Sequence, residues 1–422
     1  MEVKDGVKHT EAGDVPSDWE VKPLGTLLVR GRLGGNYPNG AGSTSKPLIK
    51  MGNIGRGDMD MRQVAYIPEH VMPDPVHRLA EGDVLLNTRN TLDLVGKVAI
   101  WRGELPVAYY NSNLMRLEFD AREIASSAYA SYAFNTPHAI ARMRELATGT
   151  TSVAAVYTRD LMGFVLPVPH AAEQCAIASA LQDADALIRA LERLIAKKRD
   201  VKQATMQRLL TGEHRLPGFT GVWREVALRD LGSFSKGAGI RRDEVVSEGL
   251  PCIRYGEIYT RYDAWVASPA SRISPATART SQRVRPGDVL FAASGETAAE
   301  IGKAVAYVGH EEVYAGGDTV ILTPTGQDSM FLGYLLNHPY VVAQKARGGQ
   351  GDAVVHIGAR QLGALELRIP ERDEQRAIAT VLADMDAELA ALDRRLAKTR
   401  AVKQAMMQEL LTGRTRLAPS DG

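Results

Sequence analysis

Several short patterns in this chain contain residue types that support catalysis, and each lacks a member of its set. A phosphate-cradling loop needs Gly-x-x-x-x-Gly-Lys-Ser/Thr, but Gly96-Lys97 is followed by Val98 and Gly302-Lys303 by Ala304. Neither can place a hydroxyl on a phosphate-bound magnesium. His310-Glu311 lacks the second histidine of a zinc-protease helix, and there is no Gly-x-Ser-x-Gly elbow. The Asn/Asp-Pro-Pro-aromatic pocket that holds a flipped adenine for methylation is also missing. Cys175 and Cys252 stand far apart with no CxxC or Cys/His spacing, so neither a disulfide framework nor a zinc site is indicated, and both read as buried or semi-buried thiols. The set fits a binding protein. A coiled-coil scaffold and an enzyme with an unrecognised site stay open beside it.

At 422 residues the chain exceeds one ordinary core, and 45% hydrophobic with 24% charged residues is the balance of a globular protein. No apolar run approaches the ~20 residues that span a bilayer, and the opening segment is too polar for a signal peptide, so a cytoplasmic protein without a membrane partner is expected. Net charge is only +1. Affinity for a polyanion must therefore come from local patches or from partners.

An internal repeat organises the chain. Residues 169–217 align without a gap on residues 370–418, and 28 of the 49 paired positions are identical. Fainter echoes precede each copy: Pro47-Leu-Ile-Lys-Met-Gly-Asn-Ile54 against Pro251-Cys-Ile-Arg-Tyr-Gly-Glu-Ile258, the Gly-Asp-Val-Leu that begins at Gly82 and at Gly287, and Trp19 against Trp223. The chain is a tandem duplication of a variable unit followed by a constant one.

The constant segment reads as a long helix. Residues 173–210 contain no Gly or Pro, and both copies stop at Leu-Leu-Thr-Gly, where Gly212 and Gly413 suit a helix C-terminus. Alternating steps of four and three give Ile177, Leu181, Ala184, Ile188, Leu191 and Ile195, then Ile378, Leu382, Met385, Leu389, Leu392 and Leu396, a coiled-coil seam in each copy. The same track continues to Lys198 and Lys202, and to Thr399 and Lys403, where packing should loosen or a partner should cover the seam. Two such copies can pair with each other. Thirty-eight helical residues at ~1.5 Å each make a rod of roughly 57 Å, which suits a spacer.

The variable units read as mixed α/β, with short β-rich runs at 84–87, 96–101, 288–292 and 319–322 and one helical stretch near each end, 125–146 and 330–346. The expected division is a tail at 1–16, a first domain at 17–168, a helix at 169–213, a second domain at 214–369, a helix at 370–413 and a tail at 414–422. The expected fold class is thus two mixed α+β domains separated by two long helices in an antiparallel coiled coil, related by a pseudo-two-fold internal repeat.

Alternation of a divergent domain with a repeated Pro-x-x-x-Glu-Gln-x-x-Ile-Ala helix that ends Lys-Gln-x-Met-Gln-x-Leu-Leu-Thr-Gly resembles the specificity subunits of type I restriction-modification systems. The residues that carry it are Pro169, Glu173, Gln174, Ile177 and Ala178 with Lys202, Gln203, Met206 and Gln207, repeated as Pro370, Glu374, Gln375, Ile378 and Ala379 with Lys403, Gln404, Met407 and Gln408. The resemblance implies two target recognition domains, each reading half of a split, asymmetric site in double-stranded DNA, with the helices setting the gap. It implies two methyltransferase subunits as partners, with restriction and translocase subunits beside them. S-adenosylmethionine would bind the methyltransferases, and this chain would carry no cofactor, no metal and no catalysis.

On that resemblance, base and phosphate contacts call for Arg, Lys, Asn and Gln near landmarks of the two units. In the first unit these are Lys46, Lys50, Asn53, Arg56, Arg89, Asn90 and Lys97. In the second they are Lys236, Arg241, Arg242, Arg254, Tyr255, Lys303, Arg347 and Gln350. Shared positions such as Lys50 with Arg254 suit phosphate or the fold, and unshared ones such as Asn53 opposite Glu257 suit base reading.

Overall fold

A computed structural model describes residues 6–150, 153–351 and 354–417. The chain divides into two compact units, residues 1–192 with 395–422 and residues 193–394. Both boundaries fall inside long helices, Ala171–Leu210 and Arg372–Leu410, so each unit holds one globular domain and one half of each helix.

In the first unit a four-stranded antiparallel sheet runs in the order Leu28–Leu33, Leu114–Phe119, Val84–Asn87, Val98–Ile100. A small sheet pairs Pro47–Ile49 in parallel with Tyr109–Tyr110, and a closing ribbon pairs Glu20–Pro23 with Val165–Val168. The second unit repeats each pairing. Its main sheet runs Gly232–Lys236, Thr319–Pro324, Val289–Ala292, Ala304–Tyr307 and adds Trp265–Val266, its small sheet pairs Leu250–Ile253 in parallel with Val313–Ala315, and its ribbon pairs Arg224–Ala227 with Glu366–Ile369. The central strands are apolar on both faces because helices cover one side and the small sheet the other.

Each expected helical stretch near a domain's end is two helices. Ser127–Phe134 stops before Pro137–Leu146, and Ser329–Leu335 before Pro339–Gly348. The reason is Pro137 and Pro339: proline disfavours helix at the preceding residue but suits a first helical turn, and Thr136 and His338 cap the new helix instead.

The long helices pair antiparallel, in halves. Within the first unit Glu192 meets Arg400, Asp185 meets Lys403 and Glu173 meets Arg416, so partner numbers fall as residue numbers rise. Within the second, Lys198 meets Glu388 and Lys202 meets Asp386. Ile177, Leu181, Leu191 and Ile195 are buried, as are Ile378, Leu382 and Leu396, whereas Ile188, Leu389 and Leu392 are half-buried. The polar end of the track does not loosen: Lys198, Lys202 and Lys403 find acidic partners across the seam.

Described residues of the segments expected as tails belong to the fold. Val7–Thr10 and Gly13–Pro16 form a hairpin, Val15 is buried, and Leu417 packs against the first core, whereas 1–5 and 418–422 lie outside the described residues. Cys252 is buried as expected, but Cys175 is exposed on the first helix. Among the described residues no helix is long and apolar enough to cross a membrane.

Gly212 and Gly413 end the long helices with φ of 75° and 66°, values that favour glycine. A Cβ on Gly413 would lie 2.2 Å from Pro16 Cγ, whereas on Gly212 it would meet only the Trp223 ring at 3.3 Å. Gly413→Ala is therefore expected to destabilise by more than about 1 kcal/mol, and by more than Gly212→Ala, as read by denaturant unfolding. Equal losses would contradict the packing described.

Candidate nucleic-acid interface

The repeated Glu-Gln pair fastens each domain to its helix. Gln174 accepts from Ala125 N and donates to the carbonyls of Glu123 and Pro169, filling its amide on both sides. Gln375 repeats this with Asp328 N, the Gln327 side chain and the Pro370 carbonyl. Glu173 and Glu374, 7% and 3% exposed, each take a two-bond clamp from an arginine, Arg416 at 2.5 and 2.7 Å and Arg215 at 2.5 and 2.6 Å. The arginine then lies over a tryptophan, Arg416 on Trp19 and Arg215 on Trp223. Hydrogen bonding by Asp18 holds the Arg416 guanidinium above its usual range, which keeps the clamp charged.

Twelve residues further along each helix, about three turns, a second repeated cluster forms. Asp185 accepts Tyr132 Oη at 2.6 Å and Lys403 Nζ at 2.5 Å, and Asp386 accepts Tyr334 Oη at 2.5 Å and Lys202 Nζ. Each lysine also lies over the tyrosine ring, at 5.6 and 6.0 Å. Burial, with the carboxylate next, pushes both tyrosine hydroxyls well above their usual range, so they remain donors.

The expected DNA contacts fall into two groups. Spent on the fold are Asn53, Lys46, Lys303 and Arg254. Asn53 is 4% exposed; it accepts from Lys50 N and donates to the carbonyls of Asp60 and Gln63. It pins a turn with its oxygen and both amide donors occupied, and the opposite residue Glu257 also pins one, at Arg254 N. Lys46 donates to the carbonyls of Glu69 and Val71 and Lys303 to those of Tyr259 and Tyr262, while Arg254 leans on Glu257. Lys50 reaches Asn39, and Asn90 caps Thr91 N.

Arg56, Arg89 and Lys97 in the first unit have side chains with no hydrogen bond or ion pair among the described residues. Their backbone segments are neighbours: Gly57 N bonds Val98 O beside Lys97, and Asn87 N bonds Lys97 O two residues before Arg89, while burial, helped by the charge of Arg144, pulls the Arg56 guanidinium below its usual range. In the second unit Lys236, Arg241, Arg242 and Arg347 are exposed and similarly unpaired, Gln350 is exposed, and Tyr255 is 41% exposed.

Two features went unread in the sequence. Arg279, Arg283 and Arg285 line a groove of about 700 Å³, and Arg279 and Arg285 have no side-chain partner among the described residues. Three arginines in seven residues was the available signal. Lys345 is 1% exposed on a larger cavity, and burial pulls its ammonium down to about 7. Among the described residues no group of three or more His, Cys, Asp or Glu could hold a metal.

No family model matches the sequence. The chain is 23% identical over 435 residues, 98% of its length and 97% of the relative's, to a Methanocaldococcus jannaschii protein described as the specificity subunit of the type I restriction enzyme MjaX. It is 25% identical over 214 residues, about half of each chain, to the MjaVIII specificity subunit of the same organism. Its fold matches the crystal structure of a type I restriction-modification S subunit from M. genitalium, with TM-score 0.60 at 13% identity over 97% of this chain and 98% of that one. It also matches a chain from the structure describing complex assembly and conformational transition of the type I R-M system, with TM-score 0.54 at 18% identity over 95% and 99%.

Asp386→Ala would strand Tyr334 Oη and Lys202 together, and is expected to cost about 2–4 kcal/mol in denaturant unfolding, with Tyr334→Phe alone costing less. Equal losses would contradict a shared carboxylate. Lys345 binds its proton up to its ordinary 10.5 in the unfolded chain but only below about 7 in the folded one. From this group, stability rises with pH from about 7 toward 10. Thermal melts of Lys345→Met against the parent should show that rise flattened; an unchanged profile would contradict it.

Proposed function

We infer that this chain belongs to the specificity subunits of type I restriction-modification systems and is their non-catalytic, sequence-specific DNA reader. One observation carries the reading: the chain contains the same core of strand pairings twice, joined to helical segments identical at 28 of 49 positions, yet the unpaired cations differ between the copies. A scaffold has no need of two unlike faces on one framework. A reader of two unlike half-sites does.

The proposed mechanism separates positioning from reading. Arg56, Arg89 and Lys97 in the first domain, and Lys236, Arg241, Arg242 and Arg347 in the second, neutralise phosphates and fix register, and side chains that differ between the domains read base edges in the major groove. The paired helices set the unspecified gap between half-sites. Two methyltransferase subunits that carry S-adenosylmethionine dock on this chain and methylate flipped adenines, and restriction and translocase subunits dock beside them to translocate and cut the DNA. The absence of a strong net positive charge fits a reader that reaches full affinity only inside such a complex.

Mobility shifts test the reading. The chain with its methyltransferase subunits should bind its target far more tightly than random duplex, and Arg56→Ala or Lys97→Ala should each lower the slope of log K against log salt by about 1. Equal affinity for target and random DNA would reject the reading. Adding residues at 210–212 should lengthen the methylated site's gap and leave both halves intact; long-read methylation sequencing that found altered halves and an unaltered gap would reject the spacer role.

A further inference from the structure

The second domain contains a charge arrangement that phosphate binding does not explain. A cavity of about 1040 Å³ opens beside the Ser294–Gly295 strand, and Glu296, Glu300 and Asp263 stand on it together with Tyr255, Lys303 and Lys345. Lys202 also lines it but is neutralised by Asp386, and Lys303 is held by two carbonyls. Carboxylates repel a phosphate backbone. They are, however, acceptors for the N–H groups of base edges.

Lys345 is the telling residue. Its side chain is 1% exposed, and its ammonium, with three donors, has one acceptor, the Gly302 carbonyl at 2.6 Å. The duplicated domain shows that this fold does not require an amine there. Gly96 and Gly302 hold the same turn at φ of 72° and 71°, and the side chain packed on each comes from the same place on the helices Pro137–Leu146 and Pro339–Gly348, Met143 in the first domain and Lys345 in the second. The apolar residue is the better core former, since burying an amine with a single acceptor is costly. A residue that the scaffold would rather have as methionine is kept for what it touches.

We propose that this cavity is a binding site for a single unstacked nucleobase, with the Lys345 amine donating to a ring carbonyl or nitrogen, Glu296 and Glu300 accepting from the base's N–H groups, and Tyr255 stacking at the rim. The buried amine and the acidic rim select a ligand that offers an acceptor and donors side by side on a flat, uncharged ring. Nucleobases have this pattern, and an aromatic face recognises any of them by stacking. The base comes either from a DNA strand opened in the second half-site or from a free nucleoside. The first source rests on the reading of this chain as a DNA-binding subunit, and the second does not.

Fluorescence titrations of the full chain separate the sources. One arm uses guanosine, adenosine, cytidine and thymidine; the other uses a duplex with one extrahelical 2-aminopurine and a fully paired control. The expected result is binding in at least one arm, weakened tenfold or more in Lys345→Met and in Glu296→Gln/Glu300→Gln, with a melting temperature of Lys345→Met no lower than the parent's. Met143→Leu in the first domain should leave binding unchanged. Saturation in neither arm, or equal binding by Lys345→Met, would overturn the proposal. Either failure leaves the DNA-reading assignment standing, because that is judged by methylation of the target site, which Lys345→Met would then not alter.

Discussion

In each unit one carboxylate on a long helix is shared by a tyrosine from the globular domain and a lysine from the opposing helix. Asp185 joins Tyr132 and Lys403; Asp386 joins Tyr334 and Lys202. Three separate pieces of chain meet at one pair of oxygens, so the helix pairing and the seat of the domain cannot be adjusted independently. An apolar seam tolerates slippage by a heptad, since one leucine replaces another. A buried charge does not, because a slip would leave it unpaired in a poorly hydrated site. The Glu173–Arg416 and Glu374–Arg215 clamps add a second fixed point further along each unit. Two fixed points per unit define a register, and a stated register is what a spacer needs.

The sequence disclosed the architecture because duplication turns weak signals into strong ones. A single Ala/Leu/Lys-rich helix is common, but a second copy with the same Glu-Gln start and Thr-Gly end fixes both boundaries, and the structure places helices at Ala171–Leu210 and Arg372–Leu410. The reason for the motif was not legible. Glu173 meets a partner 243 residues away and Gln174 one 49 residues away, distances at which spacing says nothing. The breaks at Pro137 and Pro339 were legible in principle, and apolar content around them outweighed the proline signal.

Side chains at the interface were the least legible, for one physical reason: a polar residue looks the same in sequence whether it faces water or fills a turn. Asn53 reads as a base contact and is a buried cap; Lys303 reads as a free cation and is bound to two carbonyls. Lys345 sits on a short helix with polar neighbours and reads as surface, and only the comparison with Met143 at the matching place reveals an anomaly. Arg279, Arg283 and Arg285 were passed over because they lie outside the landmarks common to both domains, which is where readers of unlike half-sites ought to differ. Duplication is thus a guide to the scaffold, and departures from it are a guide to function.

The central claim is that each domain carries the address for one half of a bipartite DNA site. Replacing residues 214–369 with a second copy of residues 17–168 tests it most directly, with long-read methylation sequencing of cells that express the hybrid together with the methyltransferase subunits proposed as its partners. The account predicts a new methylated site in which one half of the parental target occurs twice, inverted, across the parental gap. Methylation of the unaltered parental site by the hybrid would contradict it.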